Sequence, residues 1–254
     1  MKIEDLNFDC LVGCLQHLDI AELLNVADCT EQLRYAARYW IARAIKGLKF
    51  LVWLHCWKKS EKFRLIERGL VISVDLKFCL QFLRCCGDLV SAMEIGEYRP
   101  RGMDLFRCDW IVSYVNEYCS AFLNEISLEH FPRDNLKGLT KPFRKVETIL
   151  MVNSFPSGRK LSELFPNVRT IKLNTAFHAM FIPDEFYTDH YPLLEHVTLF
   201  ACRTQPNHKN LSLLFVSNPQ LKSIKSNMWH DLIYDDKENL SYTSKHLPNL
   251  QKLV

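Results

Sequence analysis

In the second half of the chain, apolar residues recur in a fixed order: Pro, x, apolar, x, x, apolar, x, apolar. The stretch Phe165-Pro166-Asn167-Val168-Arg169-Thr170-Ile171-Lys172-Leu173 shows it first. Tyr191 to Leu199, Asn218 to Ile224 and Leu247 to Leu253 repeat it, the last two without the final apolar residue. Pro166, Pro192, Pro219 and Pro248 are 26, 27 and 29 residues apart. In each copy the alternation predicts a short strand: Ile171 and Leu173 face one side, Thr170 and Lys172 the other. The same spacing occurs earlier at Val90, Met93 and Ile95, at Leu123, Ile126 and Leu128, and at Val146, Ile149 and Met151. Helical spacing falls between these strands: Leu76, Leu80 and Leu83, then Met103 to Tyr118, Leu161 to Phe165, Leu211 to Val216, and Leu240 to Leu247. Strands that alternate with helices imply an α/β fold with a parallel sheet, because parallel neighbours need a crossover.

A repeat of about 20–29 residues with this spacing resembles a leucine-rich repeat. The resemblance covers most of residues 75–254 and implies an irregular solenoid: a curved parallel sheet of six or seven strands, with helices on the convex side. The family's Asn or Cys position is filled by Cys202, whereas Ser154, Ala176 and Trp229 stand there in other copies. Phe177 to Tyr187 inserts four aromatics and Pro183 into one repeat and reads as a packed loop. The last copy stops at Val254 inside a strand pattern, where a terminal repeat normally carries a polar cap. One expectation is therefore an unusual cap, and the other is a solenoid truncated at its C-terminal end.

The residues between the inward apolar ones would line the concave face. Glu125, Ser127 and Glu129 open that column, and Ser223, Lys225 and Asn227 close it. Between them, Thr148, Leu150, Val152, Thr170, Lys172, Asn174, His196, Thr198 and Phe200 are the candidate partner-binding residues. The column runs from acidic to mildly basic, with an apolar belt at Leu150 and Val152.

The first 46 residues follow a different rhythm. Leu11, Cys14, Leu15 and Leu18 fall at helical spacing from a start near Asp9. Asp19-Ile20-Ala21-Glu22 is a capping box, followed by Leu23, Leu24 and Val26. Thr30 can cap a third helix with Leu33, Ala36, Ala37, Trp40, Ile41 and Ala44 on one side. Three short helices with so few large side chains need a further surface to be stable. Leu6-Asn7-Phe8-Asp9-Cys10-Leu11, Cys14-Leu15, Leu18-Asp19, Glu22-Leu23-Leu24, Val26, Leu33-Arg34 and Ala37 together resemble an F-box. The family's opening Leu-Pro is Leu6-Asn7 here, and its aromatic before the Arg is Leu33. The resemblance implies binding to a Skp-type adaptor and, through it, to a cullin-RING ubiquitin ligase. Carried onto this chain, that role falls on Leu6, Leu11, Leu15, Leu18, Leu23 and Leu24. Residues 47–74 then read as a connector whose aromatics bury the junction between head and repeats, with a surface turn at Lys58 to Lys62.

Composition changes this picture little. Of 254 residues, 48% are hydrophobic, which is ample for a continuous core. The net charge of +3 is too small to indicate nucleic acid. Seven acids (Glu4, Asp5, Asp9, Asp19, Glu22, Asp28, Glu31) precede a stretch from Arg34 to Arg68 with ten bases against Glu61 and Glu67. These segments read as solvated helix faces, and a basic docking surface is the alternative. Acids at the N-terminus exclude a signal peptide, and Phe50 to Trp57 is too short to span a membrane. A cytoplasmic or nuclear location follows, with reduced thiols for the ten cysteines. Phosphate-loop, dinucleotide and metalloprotease motifs are absent, and His178, His190, His196 and His208 lack ligand spacing. The expected function is recognition without an active site or cofactor: a ligase subunit that presents a protein substrate. The alternative is a repeat scaffold whose helical head only caps the solenoid.

Overall fold

The computed structural model describes residues 6–46, 49–54, 63–66, 69–72, 76–97, 109–129, 139–155, 160–174, 182–200, 208–226 and 248–253. The chain is mixed α/β, and its described strands form one sheet in the order β10-β9-β8-β7-β6-β5-β4-β1-β3-β2.

The head consists of α1 (Phe8–Leu15), α2 (Ile20–Ala27) and α3 (Glu31–Ile45). Each start is set by a side chain that accepts an otherwise unpaired backbone N–H. Asn7 accepts from Cys10 at 2.9 Å, Asp19 from Glu22 at 2.8 Å, and Thr30 from Leu33 at 3.3 Å. Glu22 returns the favour to the Asp19 amide at 2.9 Å, which completes the capping box. Leu11, Leu15, Leu23, Leu24, Ala36, Ala37 and Ile41 are buried between the helices, and the Trp40 indole N–H donates to the Val12 carbonyl at 2.7 Å.

The segment read as a connector is built into the sheet. It supplies β1 (Lys49–Leu54), β2 (Phe63–Ile66) and β3 (Gly69–Ile72). β1 pairs in parallel with both β3 and β4, and β2 closes the edge antiparallel to β3. The expected turn at Lys58 to Lys62 lies outside the described residues.

From residue 76 the chain alternates as its spacing predicts. α4 (Leu76–Cys86) ends in a 3-10 turn at Gly87–Leu89 and leads to β4 (Ala92–Glu97). α5 (Asp109–Cys119) precedes β5 (Glu125–Glu129), and the 139–147 loop precedes β6 (Thr148–Val152). α6 (Leu161–Leu164), β7 (Thr170–Asn174), α7 (Asp184–Thr188), β8 (His196–Phe200), α8 (His208–Ser217), β9 (Ser223–Ser226) and β10 (Lys252–Leu253) follow. Every neighbouring pair from β4 to β10 is parallel. α7 corrects part of the insertion reading: Phe186 and Tyr187 are buried on a helical turn that takes the convex-side place in its repeat. Residues 175–181 and 240–247 lie outside the described set.

The repeat is visible in two backbone ladders. Val146, Val168, Leu194 and Leu221 each donate to the carbonyl three residues back, on Phe143, Phe165, Tyr191 and Asn218, at 3.1–3.3 Å. Pro166, Pro192 and Pro219 hold the second position of these turns, where a fixed φ costs nothing and no N–H is needed. The residue after each turn then donates its N–H to a carbonyl of the preceding coil: Glu147 to Asn124, Arg169 to Glu147, Glu195 to Arg169, Lys222 to Glu195 and Gln251 to Lys222, at 2.7–2.9 Å.

The core lies under one face of the sheet. Ile126, Ile149, Ile171, Val197 and Ile224 form one buried row, and Leu128, Met151, Leu173 and Leu199 form the next. Leu123, Val146, Val168, Leu194 and Leu221 make a third buried ladder before the strands. Phe143 and Phe165 stack at 5.3 Å at the turn starts. Gly87 sits where α4 meets α5, and a Cβ there would stand 2.9 Å from the Tyr118 Cβ, so the close approach requires glycine.

Candidate functional site

The period of two in each strand leaves a second set of side chains on the face opposite the core. Strand register aligns them into three rows. The first is Ala92, Glu125, Thr148, Thr170, His196 and Ser223. The second is Glu94, Ser127, Leu150, Lys172, Thr198 and Lys225, and the third is Gly96, Glu129, Val152, Asn174 and Phe200. All nine predicted partner-binding residues therefore stand on one continuous face. Lys172, Lys225 and Phe200 are exposed; Thr148, Leu150, Val152, Thr170, Asn174 and His196 are half-buried. Two positions differ from a solvated face. Ser127 and Thr198 are buried, and the Ser127 hydroxyl donates to Glu129 at 3.3 Å. Asn227 lies outside the described residues.

Where β7, β8 and β9 begin, Glu195 joins three coils. Its carboxylate lies 2.9 Å from Arg169 Nη1, 3.0 Å from Lys222 Nζ and 3.7 Å from His196 Nε2. Hydrogen bonding to Lys222, and then the Lys222 and Arg169 charges, hold the carboxyl below its ordinary value. Sequence reasoning missed this cluster. Its signal is the position just after the first apolar residue of each copy, which reads Glu147, Arg169, Glu195, Lys222 and so alternates in sign.

Next to this cluster, His196 Nδ1 lies 2.8 Å from the Ser223 hydroxyl. Among the described residues, the carboxylate beside this pair is that of Glu195. Glu195 is already engaged by two cations, and its 3.7 Å contact is beyond hydrogen-bond range. Among the described residues no group of three or more His, Cys, Asp or Glu could hold a metal ion. His190 serves structure, with Nδ1 2.7 Å from the Ser217 carbonyl oxygen.

Buried polar side chains lock successive coils. Asn116 accepts the amides of Thr140 and Lys141 at 2.9 and 2.6 Å and donates to the Lys141 carbonyl at 2.8 Å. Asp189 accepts both the amide and the hydroxyl of Ser162, at 2.9 and 2.7 Å. Asn153 takes a left-handed φ of 50°, which an Asn tolerates, and its amide donates to Asn174 O at 2.8 Å. Ser154, at the family's Asn position, is buried and donates to the Val152 carbonyl at 3.0 Å.

On the head, the six leucines assigned to an adaptor are largely consumed internally. Leu11, Leu15, Leu23 and Leu24 are buried in the bundle, while Leu6 and Leu18 are half-buried against it. The physical reason is that the apolar spacing which marks an F-box is also the spacing that closes three helices on one another. The surface left open is aromatic: Phe8, Tyr35 and Tyr39 are exposed, Phe8 meets Tyr39 edge-on at 6.2 Å, and Arg43 lies 5.6 Å over the Tyr39 ring. The other side of the bundle grips α4. Gln81 donates to the Leu24 carbonyl at 3.0 Å and to Asp28 at 2.7 Å, and Arg38 pairs with Asp88 at 2.7 Å and donates to the Cys85 carbonyl.

No protein-family model matches the chain, and no curated protein matches it. Among solved structures, the chain is similar to the leucine-rich repeat-containing protein LegL7 from Legionella pneumophila. The TM-score is 0.49 and the identity 13%, over 95% of this chain and 71% of that one. The chain's own turn and strand ladders agree with the leucine-rich-repeat arrangement expected from its spacing. No helix among the described residues is long and apolar enough to cross a membrane.

Proposed function

We propose that this chain is a non-catalytic recognition protein, in which the face of the repeat sheet opposite the core binds a protein partner and the head couples that partner to other machinery. The observation that supports this most is the register. It brings side chains from six successive strands, Glu94 to Lys225, onto one surface opposite the core. In the finer reading, the head is an F-box that binds a Skp-type adaptor, and the chain is the substrate-recognition subunit of a cullin-RING ubiquitin ligase. It would act by holding its substrate near the ubiquitin-transfer site, which raises effective concentration. The exposed Phe8, Tyr35 and Tyr39, together with the half-buried Leu6 and Leu18, are the surface that adaptor would meet.

A second reading has an observation of its own. The Gln81 and Arg38 bonds fasten the head to α4, as a cap on the first coil would require. Capture of a purified Skp-type adaptor by the intact chain separates the two. The ligase reading expects capture, and expects Leu6→Asp with Phe8→Ala to abolish it while the circular dichroism stays unchanged. Failure of the wild-type chain to hold the adaptor would leave the scaffold with a capping head. Leu23→Asp is unsuitable, because Leu23 is only 3% exposed and a buried carboxylate would unfold the bundle.

A further inference from the structure

We infer that the β7–β9 end of the sheet face takes an acidic, extended segment of a partner protein, held between Lys172 and Lys225. This rests on the reading of that face as the recognition surface and adds the chemistry of what one end of it takes.

The register sets the two cations on one line. Lys172 is paired with Thr198, and Thr198 with Lys225, so the three stand side by side on neighbouring strands. The two lysine backbones are two strand spacings, about 10 Å, apart. Thr198 between them is buried, whereas both lysines are exposed. Among the described residues neither ammonium has an ion-pair partner. No described aspartate or glutamate stands on this face from β6 to β9. The strand starts add to the positive field. Arg169 and Lys222 share the Glu195 carboxylate at 2.9 and 3.0 Å, which leaves one positive charge in excess there. That carboxylate is therefore engaged and does not serve Lys172 or Lys225.

The complement of this end is negative charge at close spacing. A segment crossing β7, β8 and β9 in extended form covers the span in about three residues. Acidic side chains at alternate positions point to the same side, so two of them meet the two ammoniums. A basic segment would meet like charge on both lysines, which is costly. A nucleic-acid strand fits less well, because its charge repeats along its whole length. The row that holds Lys172 continues into Leu150 and Ser127, which offer no cation to further phosphates.

The test uses the full chain and three fluorescent peptides of one length: alternating Glu and Ser, alternating Gln and Ser, and alternating Lys and Ser. Fluorescence anisotropy at low salt should show the Glu peptide binding roughly tenfold tighter than either of the others, with the advantage shrinking as salt rises. Lys172→Glu with Lys225→Glu should remove the advantage, and Lys172→Arg with Lys225→Arg should keep it. Both side chains are exposed, so circular dichroism should be the same in all variants. Carbodiimide coupling, which joins a carboxylate to a nearby amine with loss of water, should attach the Glu peptide to Lys172 or Lys225 in preference to other lysines. Peptide mass mapping reads this. Equal binding of the Glu and Gln peptides, no binding at millimolar peptide, unchanged affinity in the double Glu variant, or coupling only at other lysines would overturn the inference. So would tighter binding of a single-stranded oligonucleotide of equal charge, or self-association that the double Glu variant abolishes, since the occupant would then be a nucleic acid or a second copy. A benzophenone on each peptide separates this from the reading beneath it. Attachment of the Gln or Lys peptide to β6–β9, without the Glu peptide, keeps the face as the recognition surface and overturns the acidic chemistry. Attachment of every peptide outside the sheet face overturns both.

Discussion

Asn218 and Tyr191, at equivalent turn-start positions of consecutive coils, are joined side chain to backbone: Asn218 Oδ1 accepts the Tyr191 amide at 2.9 Å. The same carboxamide donates to the carbonyls of Asp189 at 3.1 Å and Leu214 at 3.0 Å. In the preceding coils the position is aromatic, Phe143 and Phe165, stacked on each other. The coil that leads into β9 thus replaces ring packing with a satisfied polar network. Asn218→Ala should cost roughly 1–3 kcal/mol for each buried group left without a partner. Urea denaturation checks this, and Asn218→Asp should be no milder, since it loses both donations and buries a charge.

The two faces of β7 should respond oppositely to the same truncation. Ile171 is fully buried in the row with Ile149 and Val197, whereas Lys172 is exposed beside it. Ile171→Ala should destabilise by about 2–5 kcal/mol through lost burial and a cavity. Lys172→Ala should stay within about 0.5 kcal/mol. Chemical denaturation of the two variants reads this, and comparable losses would mean that the strand is registered differently.

Much of this was legible because period-two and period-3.6 spacing directly encode which side chains meet. Met93 and Ile95, Ile126 and Leu128, Ile149 and Met151, and Ile171 and Leu173 all lie on the core side of parallel strands, as their alternation predicts. The caps Asp19 and Thr30 were legible for the same local reason. Residues 49–72 were not, because Phe50, Leu51, Trp53 and Leu54 form a short apolar run without a period, and only pairing with β4 makes it a strand. α7 was hidden by its brevity and by Pro183, which caps a helix as readily as it bends a loop. On the head, spacing identified the leucines correctly as apolar, but spacing alone does not separate a bundle's interior from its docking face.

The described cysteines divide by position, and their reactivity should follow. Cys10, Cys14 and Cys29 are exposed on the head; Cys79, Cys85, Cys86 and Cys119 are buried. Burial pushes the Cys79 thiol up to about 12 and raises Cys119 also, while the hydrogen bond with Cys85 raises Cys86. Cys85 moves the other way, through its bond with the Cys86 thiol and the nearby Arg38 charge. Since the thiolate is the nucleophile, a brief maleimide pulse at neutral pH should label Cys10, Cys14 and Cys29 and spare the other four. Peptide mass mapping checks this. Arg38→Ala should expose Cys85 to labelling first, because it removes the bonds to the Cys85 carbonyl and to Asp88 that hold the end of α4.

The Glu195 cluster should make the repeat stack sensitive to acid in a defined window. The folded-state carboxyl lies below its ordinary value because Lys222 and Arg169 favour the charged form. A depressed carboxylate contributes stability that is fully present above the unfolded value of about 4.3 and is lost as pH falls through the folded value. Glu195→Gln keeps the side-chain shape and removes the charge, so its melting temperature should lie below wild type at neutral pH. The gap should close as the pH is lowered past that window, and salt should narrow it at neutral pH because Arg169 and Lys222 are solvent-exposed enough to be screened. Thermal melts of the two proteins across pH 3–7 read this directly. A gap that persists below the window would mean that Glu195 holds the coils through packing and not through its charge.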